Sequence, residues 1–148
     1  MTGRCLCEGV RFEISGPFGP LGYCHCKQCQ RANGSAFSAG SSVARIDLRF
    51  LSGEELLREF ESSPGRFRAF CSRCGSPIYK RMSDQPEALR IRLGVLDRDP
   101  ELRARVHIWV DAKAPWYEIT DGLPQAQKGV EQLEARATAP RGEGLKSE

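Results

Sequence analysis

The sequence contains no long, uncharged hydrophobic run. No window approaches the roughly 18 apolar residues that indicate a membrane-spanning helix. No apolar stretch follows a basic segment within residues 1–10. These absences argue against a membrane span and against a secretory signal peptide. We therefore expect a cytoplasmic protein with no membrane partner.

Lysine is scarce, with 5 residues against 17 arginines, and the formal net charge is only +3. Without a basic run or interleaved basic and aromatic residues, we expect no nucleic-acid partner. The arginine excess suits an anionic ligand, because a guanidinium group makes two-point contacts with carboxylates. The alternative is a solvated basic surface. The arginines near the cysteine clusters are Arg31, Arg66, Arg68, Arg73 and Arg81.

Nothing in the length or composition calls for a second domain. The chain has 148 residues, of which 40% are hydrophobic and 28% charged, and we find no internal repeat. Short segments with strand-like alternation lie between Gly, Pro and Ser turns, which predicts a mainly β, single-domain fold. The segments are 10–14, 43–51, 89–96 and 106–110.

Ser63-Pro64-Gly65 is a tight-turn signal that predicts a hairpin of residues 57–61 and 67–70. The hairpin would place the third cysteine cluster at a strand end. Ser52 and Glu55 form a capping-box pattern that would instead begin a helix in the same region. We favour the strands.

Two other segments carry helical signals. Residues 27–33 predict a short helical turn ending before Gly34, with the amides at its start facing a metal. From residue 125 the chain is rich in Ala, Gln, Glu and Gly, which predicts a loose surface helix followed by disorder. We therefore divide the chain into a domain of residues 1–124 and a loose tail of residues 125–148.

All seven cysteines lie in three short clusters. Cysteines spaced by one or two residues can point two sulfurs at one metal ion in the geometry that zinc prefers. Because lasting disulfides are rare in a reducing compartment, we favour metal binding. Seven ligands divide into a closed structural site of four and an open reactive site of three. The clusters are Cys5-Leu6-Cys7, Cys24-His25-Cys26-Lys27-Gln28-Cys29 and Cys71-Ser72-Arg73-Cys74.

Two arrangements of these ligands compete. In the first, Cys5 and Cys7 join Cys71 and Cys74, and the remaining three cysteines surround an open zinc. In the second, the last two cysteines of the middle cluster join Cys71 and Cys74 in a zinc ribbon. We favour the first arrangement, because Cys24, Cys26 and Cys29 can converge on one ion without help from distant chain.

The two histidines and two aromatic residues are weaker candidates. His25 lies between two proposed ligands, and we interpret it as an outer-shell or exposed residue rather than a fourth ligand. His107 lies in a predicted strand, where Trp109 would partly cover it, which favours a structural role. Trp116 and Tyr117 are expected to pack against the core, with a pocket wall as the alternative.

The cysteine motifs and several neighbouring residues together resemble the glutathione-dependent formaldehyde-activating enzyme family, which also contains centromere protein V. The resemblance covers roughly residues 3–124, and the ordered triple of cysteine motifs is specific. The matching segments are Cys5-Leu6-Cys7 with Gly9 and Val10, Cys24-His25-Cys26-Lys27-Gln28-Cys29-Gln30-Arg31, Phe70-Cys71-Ser72-Arg73-Cys74-Gly75-Ser76, and His107-Ile108-Trp109 leading to Pro115-Trp116.

The resemblance implies a tent-like β fold with two zinc ions. It makes Cys5, Cys7, Cys71 and Cys74 ligands of a structural zinc, and Cys24, Cys26 and Cys29 ligands of a catalytic zinc. It also implies a carbon-sulfur lyase that joins glutathione to formaldehyde as S-hydroxymethylglutathione.

Arg31 is our first candidate for holding a carboxylate of glutathione. Two other functions remain open from the sequence. The protein could be a non-catalytic carrier of a thiol or aldehyde adduct, or a zinc-ribbon interaction module.

Overall fold

A computed structural model describes residues 1–130 of the chain. Within this part, eleven strands form two sheets, with one α-helix and several short 3-10 turns. The expected mainly β, single-domain fold is confirmed. The strands are β1 Thr2–Arg4, β2 Arg11–Ile14, β3 Leu21–Cys24, β4 Ser38–Ala44, β5 Leu48–Ser52, β6 Leu57–Ser63, β7 Arg66–Cys71, β8 Pro77–Met82, β9 Gln85–Arg92, β10 Ala104–Ile108 and β11 Gln125–Ala126; the helix is α1 Lys27–Asn33.

The smaller sheet has three antiparallel strands in the order β1-β2-β5. The larger sheet has the order β11-β10-β3-β4-β9-β8-β7-β6. Its strands from β3 to β6 pair antiparallel, whereas β10 runs parallel to both β3 and β11. The hydrophobic core contains buried residues from both sheets, such as Phe12 and Ile14 of β2 and Ile91 of β9. Burial of these side chains is the main favourable term that holds the two sheets together.

The segment 43–51 was expected to be one strand, and this is wrong. A 3-10 turn, Arg45–Asp47, separates β4 from β5, and the two strands belong to different sheets. Val43 is a buried core residue, whereas Ile46 in the turn is 92% exposed. The apolar alternation therefore continues through a corner of the chain, where an exposed isoleucine mimics a strand residue.

The predicted hairpin is confirmed, since β6 pairs antiparallel with β7 and the third cysteine cluster begins at the end of β7. The alternative helix is reduced to one 3-10 turn, Glu54–Leu56. The other predicted strands are displaced or shortened. β9 ends at Arg92, and β10 ends before Trp109, which adopts a left-handed backbone with φ of 60°.

The segment from residue 125 does not begin as a loose helix. Gln125 and Ala126 pair with β10 as a short parallel strand, and the carbonyl of Lys128 accepts a hydrogen bond from the Trp109 amide. The first residues of the expected tail are therefore part of the sheet. The rest of that prediction, for residues 131–148, lies outside the described residues and stays a prediction. In residues 1–130 no helix has the length and apolar character needed to cross a bilayer.

Candidate metal centres

Four cysteine sulfurs from two distant segments meet in one group. Cys5 and Cys7 lie between β1 and β2, whereas Cys71 ends β7 and Cys74 follows three residues later. The Sγ atoms of Cys5 and Cys7 are 3.5 Å apart, and those of Cys7 and Cys71 are 3.8 Å apart. Four sulfurs placed tetrahedrally about 2.3 Å from zinc are separated by about 3.8 Å. The group therefore has the dimensions of a closed four-sulfur zinc site.

Backbone amides turn toward these sulfurs. The Val10 N–H donates to Cys5 Sγ over 3.3 Å. After Cys74, Gly75 adopts a left-handed backbone with φ of 74°, which lets its N–H bond to the Cys71 carbonyl over 2.8 Å. A side chain at this position would strain the turn, so the glycine favours the sharp reversal that brings the last two sulfurs together.

Ser76 links the two halves of the four-cysteine group. Its Oγ accepts a hydrogen bond from the Leu6 amide over 2.9 Å and lies 3.3 Å from Cys74 Sγ. Burial opposes ionisation of Cys74, but hydrogen bonds from Ser76 and from Cys7 outweigh it and lower the pKa of this thiol to about 5. The pKa of Cys7 moves the other way, to about 11. Although the Gly9 amide lowers it, burial and the neighbouring thiols prevail. Closely spaced thiols that share protons have unequal pKa values, one raised and the other lowered.

Three further sulfurs form a second group. The Sγ atoms of Cys24, at the end of β3, Cys26 and Cys29 all lie within 4.8 Å of one another. Cys29 is buried at 5% exposure, whereas Cys24 and Cys26 are partly exposed. This group therefore has a side that a small molecule can reach. The grouping of the seven sulfurs matches our first arrangement and not the zinc ribbon.

The short helix α1 shapes this second group. Its boundaries, Lys27–Asn33, agree with the predicted turn, and Gly34 ends it with φ of 59°. Cys26 is the N-cap, and its Sγ accepts the Cys29 N–H over 3.4 Å, so an amide of the first turn faces a cysteine sulfur. The Gln30 side chain donates to the carbonyls of His25 (2.6 Å) and Ala112 (2.9 Å). These bonds fix the loop that presents the sulfurs.

Hydrogen bonds among the three thiols shift the pKa values of Cys24 and Cys29 in opposite directions. Bonds from Cys24 and Cys26 lower the pKa of Cys29, and the Ser38 hydroxyl and the Arg92 charge add to the effect. The pKa of Cys24 is raised, because it shares hydrogen bonds with Cys26 and Cys29 and is partly buried. Cys29 therefore carries negative charge more readily than Cys24.

The five arginines singled out from the sequence have different surroundings. Arg66 is paired with Asp84 and Arg81 with Glu59, whereas Arg73 is exposed beside the four-cysteine group. Arg31 is exposed in the last turn of α1, and no contact with a cysteine is seen for it in the described residues. Arg68 alone among the five donates to a sulfur of the second group, from Nη2 to Cys29 Sγ over 3.9 Å.

Sequence reasoning missed Lys80 and Arg92. Both interact electrostatically with Cys24 and Cys29, although they lie on β8 and β9. Burial lowers the pKa of each group, and the sulfur charges oppose that shift. The sequence separation explains the omission, because only the pairing of the strands brings these residues to the cysteines. The alternation of side chains along a strand gives a weak signal for such residues, because a charged residue at a position expected to be buried is unusual.

Both histidines are fully buried, so His25 is not the exposed residue we considered. Its Nε2 lies 2.8 Å from Nδ1 of His107, whose Nε2 contacts the Asp121 carboxylate at 3.0 Å. Burial lowers the pKa of His25, and the charges of His107 and Lys113 lower it further. In the described residues His25 Nδ1 has no hydrogen-bond partner, and it does not join the sulfur group.

The tryptophans differ from expectation. Trp109 does not cover His107; its left-handed backbone leaves it 39% exposed, and the rings nearest His107 are those of His25 and Tyr23. Trp116 is 73% exposed and so does not pack in the core. Tyr117 packs against Phe37 and His25, with ring centroids 5.3 and 5.9 Å away. The turn after β10 lies between Trp109 and the adjacent residues Trp116 and Tyr117 in the chain.

The donor chemistry of both groups fits zinc. All seven candidate ligand atoms are sulfurs, and soft thiolates in sets of four or three suit this ion better than oxygen-seeking metals. The chain is therefore a mainly β, single-domain protein with two cysteine groups that could hold metal.

A sequence model of the family described as "Glutathione-dependent formaldehyde-activating enzyme" matches residues 1–112. A protein of Halomonas elongata named "Putative glutathione-dependent formaldehyde-activating enzyme" is 30% identical over 127 residues, covering 80% of each chain. An uncharacterized lyase of Schizosaccharomyces pombe is 30% identical over 119 residues, covering 80% of this chain and 85% of the relative. The chain therefore belongs to the glutathione-dependent formaldehyde-activating enzyme family.

Membership of this family confirms the resemblance drawn from the cysteine motifs and the expectation of an enzyme of the lyase type. Among solved structures, a Rhodobacter sphaeroides protein is similar with a TM-score of 0.57 at 24% identity, covering 66% of this chain and 88% of the other. That likeness concerns the fold alone.

Proposed function

We propose that the protein is a zinc-dependent carbon-sulfur lyase that acts on the adduct of glutathione, or a related thiol, with formaldehyde or another small aldehyde. The observation that carries this proposal is the contrast between the two cysteine groups. Four sulfurs complete a tetrahedral site, whereas Cys24, Cys26 and Cys29 leave one position for a ligand. Two of these three cysteines are partly exposed, which gives that ligand a path of entry.

Each group has a separate role in the proposal. Cys5, Cys7, Cys71 and Cys74 hold a structural zinc that joins the N-terminus to the end of β7. Cys24, Cys26 and Cys29 hold the catalytic zinc, and they act as its ligands rather than as nucleophiles. A zinc ion bound there would lower the pKa of an incoming thiol and favour its thiolate.

The reaction needs no protein nucleophile. The glutathione thiol gives up its proton, its sulfur adds to the carbonyl carbon of formaldehyde, the carbonyl π electrons move to oxygen, and that oxygen takes up the proton. The reverse reaction breaks the same C–S bond. Arg68 donates to Cys29 Sγ and so stabilises negative charge on this ligand. Arg31, exposed at the end of α1, is the candidate for holding a carboxylate of glutathione.

The direct test is the rate of S-hydroxymethylglutathione formation, measured by exchange NMR with the spontaneous rate subtracted. Zinc-loaded protein should accelerate the exchange, and Cys29→Ser should abolish the acceleration. Ser72→Ala, in the exposed turn of the other group, is the control and should keep full activity. Binding of glutathione without acceleration would contradict the proposal and favour a non-catalytic carrier.

A further inference from the structure

Three cations line the larger sheet beside the three-cysteine group. Arg68 on β7 pairs in register with Lys80 on β8, and Lys80 pairs with Arg90 on β9. Arg92 lies two residues beyond Arg90 and therefore on the same face of the sheet. Arg68, Lys80 and Arg92, which we call the cationic face, also interact electrostatically with one another or with Cys29.

The cationic face has no acidic partner at ion-pair distance in residues 1–130; the Asp84 carboxylate, itself paired with Arg66, interacts with Lys80 at longer range. No ion pair forms there with Arg68, Lys80 or Arg92, although Arg66 and Arg81 on the same strands are paired with Asp84 and Glu59. Three neighbouring cations repel one another, and an anion between them would offset that repulsion. Among residues 1–130, the carboxylates of this region therefore form ion pairs with Arg66 and Arg81 and not with the cationic face.

The guanidinium group of Arg68 has buried, unused donors, and the Arg92 side chain is also buried. Nη2 of Arg68 reaches Cys29 Sγ, but its Nε and Nη1 are buried without an acceptor in the described residues. Arg92 is only 8% exposed, and a Cβ on Gly40 would lie 3.4 Å from its Nη1, so the glycine leaves room for the guanidinium. Buried donors without acceptors cost free energy, and a ligand that supplies the acceptors recovers it.

The charge of the site points to the kind of ligand. A divalent zinc with three thiolates has a formal charge of −1, so with the three cations beside it the region is positive overall. A thiolate alone neutralises only part of this charge. A ligand with a thiolate and one carboxylate brings two negative charges, and its carboxylate can accept paired hydrogen bonds from a guanidinium fork.

We propose that Arg68, Lys80 and Arg92 form an anion-binding face that takes a carboxylate of the incoming thiol while its sulfur occupies the open position beside Cys24, Cys26 and Cys29. This rests on the proposed function, since it names the chemistry of the substrate for that same site. The enzyme therefore selects thiols that carry a carboxylate within reach of the sulfur, and rejects neutral thiols.

The test is the affinity of zinc-loaded, full-length protein for 3-mercaptopropionate and for its neutral methyl ester, measured by calorimetry. The acid should bind about 10- to 100-fold more tightly than the ester, as charge-assisted hydrogen bonds predict. Arg92→Met and Lys80→Met should each reduce this ratio strongly. Arg49→Met is the matched control: it removes one positive charge from the other sheet and should keep the ratio.

Melting temperature and metal content are measured for every variant. If Arg92→Met does not fold, Arg92→Lys keeps the charge but loses the fork, and it should give an intermediate ratio. Equal affinities for acid and ester in the parent protein would overturn the proposal. So would an unchanged preference in both Lys80→Met and the Arg92 variant that folds.

Measuring adduct exchange on the same samples separates the two proposals. A carboxylate preference without any acceleration of exchange would remove the lyase function and keep the anion-binding face. Acceleration with equal use of acid and ester would keep the lyase function and remove the face.

Discussion

Nε2 of His25 lies 2.8 Å from Nδ1 of His107, and both rings are fully buried. The pair joins the loop between Cys24 and Cys26 to β10, and the His25 amide also donates to the Ile108 carbonyl over 2.9 Å. Asp121 accepts a hydrogen bond from His107 and so ends the hydrogen-bonded series that begins at His25. The position of two proposed metal ligands is therefore fixed by residues more than 80 positions away.

Asp121→Asn should make the protein less stable at neutral pH and remove part of its pH dependence. Hydrogen bonds from the Leu123 amide and from His107 lower the pKa of Asp121 below its value in the unfolded chain. A lowered carboxyl pKa contributes stability above the unfolded value of about 4, and that stability is lost as the pH falls through the folded value.

Melting temperatures between pH 3 and 7 test this effect. The parent should exceed Asp121→Asn at about pH 7, and the difference should shrink below the ordinary aspartate pKa of about 4. Asp111→Asn, at another exposed aspartate after β10, is the control and should behave like the parent. A gap between parent and Asp121→Asn that stays constant with pH would contradict the assignment.

Cys74→Ser should release one metal ion and destabilise the whole fold by several kcal/mol, because a structural zinc couples strongly to folding. The four-cysteine group joins segments more than 60 residues apart. Thermal unfolding and metal analysis measure the two effects. Ser72→Ala changes a neighbour in the same turn and should match the parent; if Cys74→Ser also matched it in both measurements, these cysteines would not hold a structural ion.

Cys26→Ser should lower the metal content towards one ion while leaving the melting temperature nearly unchanged. Cys26 belongs to a local loop, and its Sγ caps α1 by accepting the Cys29 N–H. Serine is also a good N-cap, so the helix should persist without the metal ligand. Cys26→Ala removes the cap as well and should be less stable than Cys26→Ser by about 1 kcal/mol. Global unfolding of Cys26→Ser, comparable to that of Cys74→Ser, would contradict a local site.

Glutathione should bind zinc-loaded protein more tightly than its dimethyl ester, and Arg31→Ala should remove part of that difference. An exposed arginine paired with a carboxylate predicts an effect of about tenfold or less, weakened by salt. Calorimetry at two salt concentrations measures it, with Arg49→Ala as a control for net charge. If Arg31→Ala keeps the full difference at low salt, Arg31 has no role in binding.

Local signals predicted the parts of the site that are local. The range of α1 could be read from the chain because Gly34 supplies the left-handed residue that ends it. The three-sulfur group followed from the short spacing of Cys24, Cys26 and Cys29 within one cluster. The hairpin of β6 and β7 followed from one turn signal, Ser63-Pro64-Gly65.

The remaining features depend mainly on pairing between strands that are distant in the sequence, which local patterns do not predict. Arg92 reaches the cysteines only because β9 pairs with β4, which in turn pairs with β3, the strand that ends at Cys24. The strand Gln125–Ala126 exists because β10 offers it an open edge, and its two residues carry no signal of their own. The corner after β4 was missed because Ile46 continues the apolar alternation while facing solvent.

The measurement that tests the account most directly is the average number of sulfur ligands per zinc, determined by X-ray absorption before and after glutathione is added. Sites with four and three cysteine ligands predict an average of about 3.5 sulfurs, the remaining position being filled by a lighter atom. Glutathione should raise the average to about four, because its sulfur completes the open site. An average of four before addition, or no change after it, would contradict the open thiol-binding zinc.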